Sequence, residues 1–463
     1  MTDRASTISP ARAIALEVLT GVRERDAYAN LLLPVVLRRQ GPSREDAAFA
    51  TELAYGTLRL AGRYDAIIAS AAGRPLTAID PATLDVLRLG VHQLLALRTA
   101  RHAAVHQAVE QVRAVRGRGA AGFANAVLRR VGERDSDAWT AVLVDGVTDP
   151  VQRAAIATGH PLWVALELRD ALAAMADGGG DLQPLLEVDD AAPPVGLVAL
   201  PGLADRDAVV DPAGLAIRHH RLSPIGLELD GGDPGALADV ASGVVRVQDP
   251  GSQLAALALS RARPVRRGER WLDLCAGPGG KAALLAAEAR LGGAALVSNE
   301  IAPARARLVR GALAAVPGEH EVETGDGRRF ADGARRFDRI LLDAPCSGLG
   351  ALRRRPEARW RKRPEDLPGL IAQQGQLLDA AIAALVPGGL IAYVTCSPVT
   401  AETTDVIGAA LGRHPGLKPL RTAPVLDAVS GRALRDAERG TAAQLWPHRH
   451  GTDAMFVQLL TRA

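Results

Sequence analysis

Cys346 and Cys396 stand in two short segments, Asp343-Ala-Pro-Cys346 and Thr395-Cys-Ser397, in a chain of 463 residues that holds three cysteines in all. Polar residues and a turn flank each of them. A thiolate is the soft nucleophile that can add to an unreactive pyrimidine ring, provided its surroundings give it usable thiolate content. Cytosine carbon 5 is a poor nucleophile by itself. Addition of a thiolate at carbon 6 makes the ring an enamine, whose carbon 5 then attacks an electrophilic methyl group. Removal of the carbon-5 proton expels the thiolate. Such chemistry also needs a group that hydrogen-bonds ring nitrogen 3 or the amino group, which suits Asp343, and help with turnover, which suits Cys346. A cysteine taken singly is most often a small buried hydrophobe. Two together beside Asp343 weigh against that reading.

The third cysteine lies in a glycine-rich turn, Asp273-Leu-Cys-Ala-Gly-Pro-Gly-Gly-Lys281. Glycines let a backbone turn tightly and approach a ligand, as they do in nucleotide-binding folds. Glu300 follows Gly277 by 23 residues, at the end of the next expected strand, where a carboxylate can accept both hydroxyls of a ribose. A phosphate-binding P-loop is excluded, because Cys275 takes its first glycine position and Ala282, not Ser or Thr, follows Lys281. Spacing alone does not exclude a dinucleotide site. Asp326, in Thr324-Gly-Asp-Gly327, is placed to reach an adenine amino group, although an Asp between glycines is more often a turn residue. No Cys-x-x-Cys pair favours zinc, and no Glu follows His102 to make a metalloprotease helix of His102 and His106. No metal is expected.

These residues need a scaffold, and length predicts two or three domains. A content of 48% hydrophobic and 23% charged residues is that of a soluble globular protein. Formal charge is +3 and the sequence pI about 8.9, mild basicity that suits nucleic acid if concentrated. Three cysteines make no disulfide framework, Met1–Ser6 lacks the order of a signal peptide, and no apolar run approaches a membrane span. A cytoplasmic protein, with no membrane association and monomeric, is the expectation.

Residues 9 to about 132 carry helical spacing at Ala11–Val22, Asp46–Leu60, Pro81–Leu97 and Ala103–Val115, with breaks at Gly41-Pro42, Gly73-Arg-Pro75 and Gly117-Arg-Gly119. Residues 138 to about 245 are mixed, with a helix at Pro161–Ala174 and strands at Val195–Leu200 and Val244–Val247. From Asp249 the rhythm becomes strand–helix alternation. Strands are predicted at Arg270–Leu274, Ala294–Asn299, Asp338–Leu342 and Leu390–Thr395, with helices at Lys281–Ala289, Ala302–Ala315 and Pro368–Leu385. That alternation implies a mainly parallel sheet covered on both faces, with ligands at the carboxyl ends of its strands. The fold class is therefore multidomain. An all-α N-terminal domain (1–137) and a small α/β linker domain (138–248) precede a C-terminal Rossmann-like α/β domain (249–463).

The glycine turn, Asp343-Ala-Pro-Cys-Ser-Gly348 and Val394-Thr-Cys-Ser397 closely resemble the RNA 5-methylcytosine methyltransferases of the Sun/Fmu (RsmB) family. Asp46–Arg59 and Gly122–Arg129 resemble that family's NusB-like RNA-binding domain. His160-Pro-Leu-Trp163 and Val247-Gln-Asp-Pro-Gly-Ser252 resemble its linking segments. The resemblance implies a class I methyltransferase fold, Cys396 as the nucleophile and Cys346 as the cysteine of product release, with Asp343 beside them. It implies S-adenosylmethionine held by Cys275, Ala276, Gly277, Pro278, Gly279, Gly280, Lys281, Glu300, Asp326 and Asp343. Two departures stand out: Glu300 where the family often has Asp, and Ala454-Met455 where a Gly-Phe pair is common.

Arg353, Arg354, Arg355, Arg359, Arg361, Lys362 and Arg363 follow the Cys346 loop, with Trp360 among them. Such charges supply salt-sensitive phosphate contacts and the indole a stacking platform, so the run is expected to hold RNA. The target base must leave its stack to meet a thiol. Arg113, Arg116, Arg118, Arg129 and Arg130 offer a second basic surface. Cytosine-5 methylation of 16S ribosomal RNA is the leading expectation. The same reaction on transfer RNA and a non-catalytic RNA-binding scaffold are the alternatives.

Overall fold

The computed structural model describes residues 8–463 apart from Arg98, Gly179, Asp181 and 211–215. The Met1–Ser6 segment read above lies outside the described residues. Two compact units emerge. One comprises residues up to Leu166 with Leu182–Ala192 and Leu352–Arg361; the other comprises Glu167–Asp181, Pro193–Ala351 and Lys362–Ala463.

The first unit is helical, as its three- and four-residue apolar spacing requires. Pro10–Arg25, Ala29–Gln40, Arg44–Arg59, Ala61–Ala72, Pro81–Leu95 and Arg101–Val131 are its successive N-terminal helices. Local chemistry starts and stops them. The Ser43 hydroxyl accepts from the Asp46 amide at 3.1 Å and Asp80 from the Thr83 amide at 2.9 Å, satisfying amides that have no partner within the helix. Gly41 and Gly73 end helices in the left-handed region, at φ 57 and 63. The break expected near Gly117 is a kink, not an end. Gly117 adopts φ 81 and ψ −173 and the helix resumes to Val131. Ala29–Gln40 is absent from the predicted segments, because Pro34 inside it masks the period. Ile14, Val18, Leu33, Leu53 and Leu89 form one buried cluster. Ile67, Val86, Leu87, Val112, Leu128 and Trp139 form another.

The second unit holds two sheets. Strands β1 (Val195–Ala199), β2 (Ile217–His219), β3 (Gly226–Leu229) and β4 (Val245–Val247) form an antiparallel sheet in the order β2-β3-β1-β4. In the segment Val247–Ser252, Val247 ends β4 and Asp249–Ser252 start a helix. Pro250 opens Pro250–Arg261, and the Asp249 carboxylate accepts from the Gly251 amide at 2.8 Å.

The larger sheet comprises β5 (Arg270–Asp273), β6 (Ala295–Glu300), β7 (Glu321–Thr324), β8 (Phe337–Asp343), β9 (Leu385–Thr395), β10 (Leu417–Leu420), β11 (Glu438–Arg439), β12 (Ala442–Gln444) and β13 (Phe456–Arg462). Its order is β11-β12-β13-β9-β8-β5-β6-β7, with β10 paired to β13. The pairs β5/β6, β6/β7, β5/β8 and β8/β9 are parallel. The pairs β9/β13, β10/β13, β12/β13 and β11/β12 are antiparallel. The sheet is thus mixed where sequence spacing predicted a mainly parallel one. The antiparallel half follows Cys396, beyond the strand–helix alternation. Helices Gly280–Gly292, Pro303–Leu313 and Leu367–Ala384 link the parallel strands in a Rossmann-like arrangement. From the neighbouring strands β5 and β8 the chain proceeds to opposite sides, which opens a crevice at their carboxyl ends. Among the described residues, no helix is long and apolar enough to cross a membrane.

Candidate active site

All three cysteine segments reach the rim at this crevice. The glycine turn leaves β5, the Asp343 loop leaves β8, and Cys396 follows β9. Backbone bonds fix the loops to the sheet: Leu274 N–H donates to Leu341 O at 2.9 Å, Ala276 N–H to Asn299 O at 2.8 Å, and Ala344 N–H to Val394 O at 2.9 Å. The Cys346 and Cys396 sulfurs lie 3.5 Å apart, the two thiols facing each other across the loops.

Lys281 bridges the turn to the thiol loops. Its Nζ donates to Asp343 Oδ2 at 2.9 Å. Burial lowers the lysine's pKa, but Asp343, with Cys396 and Asp273 behind it, outweighs burial and holds it above its ordinary value. A fixed cation therefore stands beside the thiols. The Cys396 sulfur, then burial, and then the Glu402 and Asp343 charges push the Cys346 thiol far up. Burial, followed by Asp273, Asp343 and Glu300, also pushes Cys275 far up, so that it stays a thiol within the turn.

The turn fits a nucleoside-type ligand. A Cβ at Gly277 would come within 2.2 Å of Glu300 Oε2, and one at Gly279, which has φ 110, within 2.5 Å of the Ala312 Cβ. Both glycines are thus required by the protein's own packing, since a side chain would collide with Glu300 at one and with the helix Pro303–Leu313 at the other. Glu300 accepts the Gly277 amide at 2.9 Å and the Ala302 amide at 3.0 Å, one on each oxygen. Each oxygen keeps a lone pair for a hydroxyl. Arg305 stands over it, 3.8 Å from Oε2. Asn299, which sequence reasoning missed, joins two loops by donating to Leu274 O at 3.0 Å and Gly325 O at 3.1 Å. Asp326 sits on the second of these loops. It caps Arg328 N–H at 2.9 Å, and its carboxylate pairs with the Arg328 guanidinium.

Asp273, also missed, is fully buried, and neither carboxylate oxygen has a hydrogen-bond partner. Burial, then the Asp343 charge, raises its pKa to about 8, against roughly 3.9 for an unfolded Asp. Below pH about 4 both states hold the proton. As pH rises from there to about 8, the unfolded chain releases it and the folded chain does not, so stability is progressively lost over that window. Asp273→Asn is therefore expected to raise Tm over the parent more at pH 8 than at pH 5. Thermal melts in cofactor-free buffer showing the same gap at both pH values would refute it.

The basic run needs correction. Arg359 is fully buried, its Nη1 donating to Asp190 Oδ1 at 2.8 Å and its Nη2 to Asp189 O at 3.1 Å. Arg353 is buried as well. Neither is presented to a phosphate, because burial of a guanidinium demands that its donors be spent internally. Arg361 pairs with Asp26 at 2.9 Å and lies over the Tyr28 ring at 4.7 Å. Arg355, Trp360 and Arg363 are exposed, while Arg354 and Lys362 are half-buried. His102 and His106 stack on an exposed helix face, centroids 6.2 Å apart. Among the described residues, no group of three or more His, Cys, Asp or Glu is arranged to hold a metal ion.

Comparison with known proteins decides the family. The family model for the 16S rRNA methyltransferase RsmB/F matches residues 262–461, and that of the NusB family matches residues 9–133. The ribosomal RNA small subunit methyltransferase B of Pseudomonas putida is 34% identical over 93% of this chain and 95% of its own length. The chain belongs to the RsmB/F methyltransferase family. A Mycobacterium tuberculosis protein, 46% identical, covers 99% of this RsmB/F chain and 98% of itself. The solved structure of PH0851 has the same fold, with a TM-score of 0.79 at 19% identity over 99% of this chain and 100% of that one. That of NSun6 from Pyrococcus horikoshii, solved with SFG, gives a TM-score of 0.52 at 16% identity over 64% and 97%. As an RsmB/F member, the protein is an RNA methyltransferase, and its cofactor is S-adenosylmethionine.

Proposed function

We propose that this RsmB/F enzyme methylates carbon 5 of a cytosine in 16S ribosomal RNA through a covalent bond between Cys396 and carbon 6. The approach of two thiols to 3.5 Å on the rim, beside the Lys281–Asp343 pair, carries the reading. Cys275 to Lys281, Glu300, Asp326 and Asp343 would hold S-adenosylmethionine, which supplies an electrophilic methyl group when bound. The NusB-like helices and the exposed part of the basic run would hold the RNA.

Cys396 attacks carbon 6, forming the sulfur–carbon bond and moving the ring's π electrons toward carbon 5. Asp343, as a carboxylate, accepts from the exocyclic amino group and so orients the ring, and the Lys281 cation 2.9 Å behind that carboxylate offsets the negative charge that develops on the ring. Carbon 5 takes the methyl group, its proton leaves to a base, and the sulfur–carbon bond breaks. Cys346 suits the later step. The foremost cause of its raised pKa is the neighbouring Cys396 sulfur, and that sulfur is tied up once the adduct forms. Loss of that partner removes one cause of the raised pKa, while burial and the Glu402 and Asp343 charges remain.

Bisulfite sequencing of ribosomal and transfer RNA from a deletion strain tests the substrate. One unconverted cytosine should disappear from 16S ribosomal RNA and return with the wild-type gene but not with Cys396→Ala. Loss of the mark from a transfer RNA instead would reassign the substrate.

A further inference from the structure

Both thiol loops are tied to one buried carboxylate. Glu402, completely buried, ends the short helix Thr400–Glu402 that follows β9. Its Oε1 accepts the Ser347 amide at 2.8 Å and Gln374 Nε2 at 3.0 Å. Its Oε2 accepts the Ser397 hydroxyl at 2.6 Å. The Ser347 hydroxyl has one proton and two acceptors in reach, Glu402 Oε2 and Ser397 Oγ.

The places of these donors matter. Ser347 directly follows Cys346 and Ser397 directly follows Cys396, though the two lie 50 residues apart in the chain. Gln374 gives its second Nε2 proton to Pro345 O at 2.8 Å, the residue before Cys346. The carboxylate's own backbone is held in turn, since Tyr393 of β9 donates to Glu402 O at 2.7 Å. All these donors are neutral. A buried carboxylate with neutral partners is costly to desolvate, whereas hydrogen bonds to a charged acceptor are short and strong. That is an expensive way to fill a core and an effective way to fix two loops.

We propose that Glu402 is the positioning residue of this site, its carboxylate clamping the loop after β8 to the loop after β9 so that Cys346 and Cys396 meet one base at a fixed separation. The inference rests on the covalent reading above. Glu402 touches no reacting atom; it acts through Ser347, Ser397 and Gln374.

The test uses the full-length chain, transcribed 16S ribosomal RNA and S-adenosylmethionine. Glu402→Ala should lower kcat by about 10²-fold, the cost of roughly an ångström of misplacement, while KM for S-adenosylmethionine stays within about threefold. Glu402→Gln keeps an acceptor for the Ser347 amide and should recover at least about a tenth of the parent kcat. The double variant Ser347→Ala/Ser397→Ala should reproduce much of the loss, and adding Glu402→Ala to it should cost far less than the product of the separate losses. A folded Glu402→Ala protein with kcat within threefold of the parent would overturn the proposal, as would fully multiplicative losses. Should Glu402→Ala not fold, the serine double variant decides: a kcat within threefold of the parent would overturn the proposal. The rate of denaturant-resistant RNA adduct formation in a Cys346→Ala background separates the two readings. No adduct with Glu402 intact means that the covalent reading has failed. An adduct formed equally fast without Glu402 overturns the clamp alone.

Discussion

Cys396→Ala is expected to lose methyl transfer to RNA by at least about 10³-fold, the scale on which removal of an attacking group acts when binding and orientation remain. The remaining site would still gather RNA and cofactor, because the glycine turn, Glu300 and the Lys281–Asp343 pair are unaltered. Without the sulfur–carbon bond, however, carbon 5 never gains the electron density that makes it nucleophilic. Transfer of a labelled methyl group to 16S ribosomal RNA, with cofactor binding measured in parallel by calorimetry, checks both halves. Methylation that persists above a tenth of the parent rate would remove Cys396 from its role. Loss of cofactor binding in the same variant would show that the substitution had disturbed the turn as well.

The second large effect should appear at Cys346, and it has the opposite character. Cys346→Ala leaves Cys396 able to attack and carbon 5 able to take the methyl group, but removes the sulfur 3.5 Å away that suits proton removal. A covalent protein–RNA species should accumulate, visible as a band retarded in denaturing gels and abolished by the additional change Cys396→Ala. Turnover should fall by on the order of 10²- to 10⁴-fold, the range over which a positioned acid or base contributes. A variant that turns over normally and traps nothing would assign product release elsewhere.

The parallel half of the catalytic sheet was legible because each strand is a short apolar run entering a turn with its own chemistry. Arg270–Leu274 became Arg270–Asp273, and Ala294–Asn299 became Ala295–Glu300. The antiparallel half was not. Ala442–Gln444 is three residues long and β10 contains Pro419, so both owe their strand form to pairing and not to local pattern. The site divides the same way. The thiols, the glycine turn and Asp343 announce themselves by residue type within a few positions. Glu402 does not, since its donors come from loops as far as 55 residues away, and a Glu after a strand reads as surface. Arg359 misled for the converse reason. A run of arginines reads as a solvated or RNA-facing stripe, and nothing local reveals an Asp190 that lies 169 residues earlier.

The position of β13 bears on when the enzyme first becomes competent. This strand follows every other strand in sequence, yet it is an inner strand of the sheet, flanking the β9 that delivers Cys396. In a nascent chain that has not yet released residues 456–462 from the ribosome, β9 presents a raw edge of unpaired amides and carbonyls. The helices up to Val131 can fold during translation, whereas the strand before Cys396 lacks one neighbour until residues 456–462 emerge. The cysteine segment after β9 therefore gains its full sheet support only once residues 456–462 are in place, however early the other strands have paired.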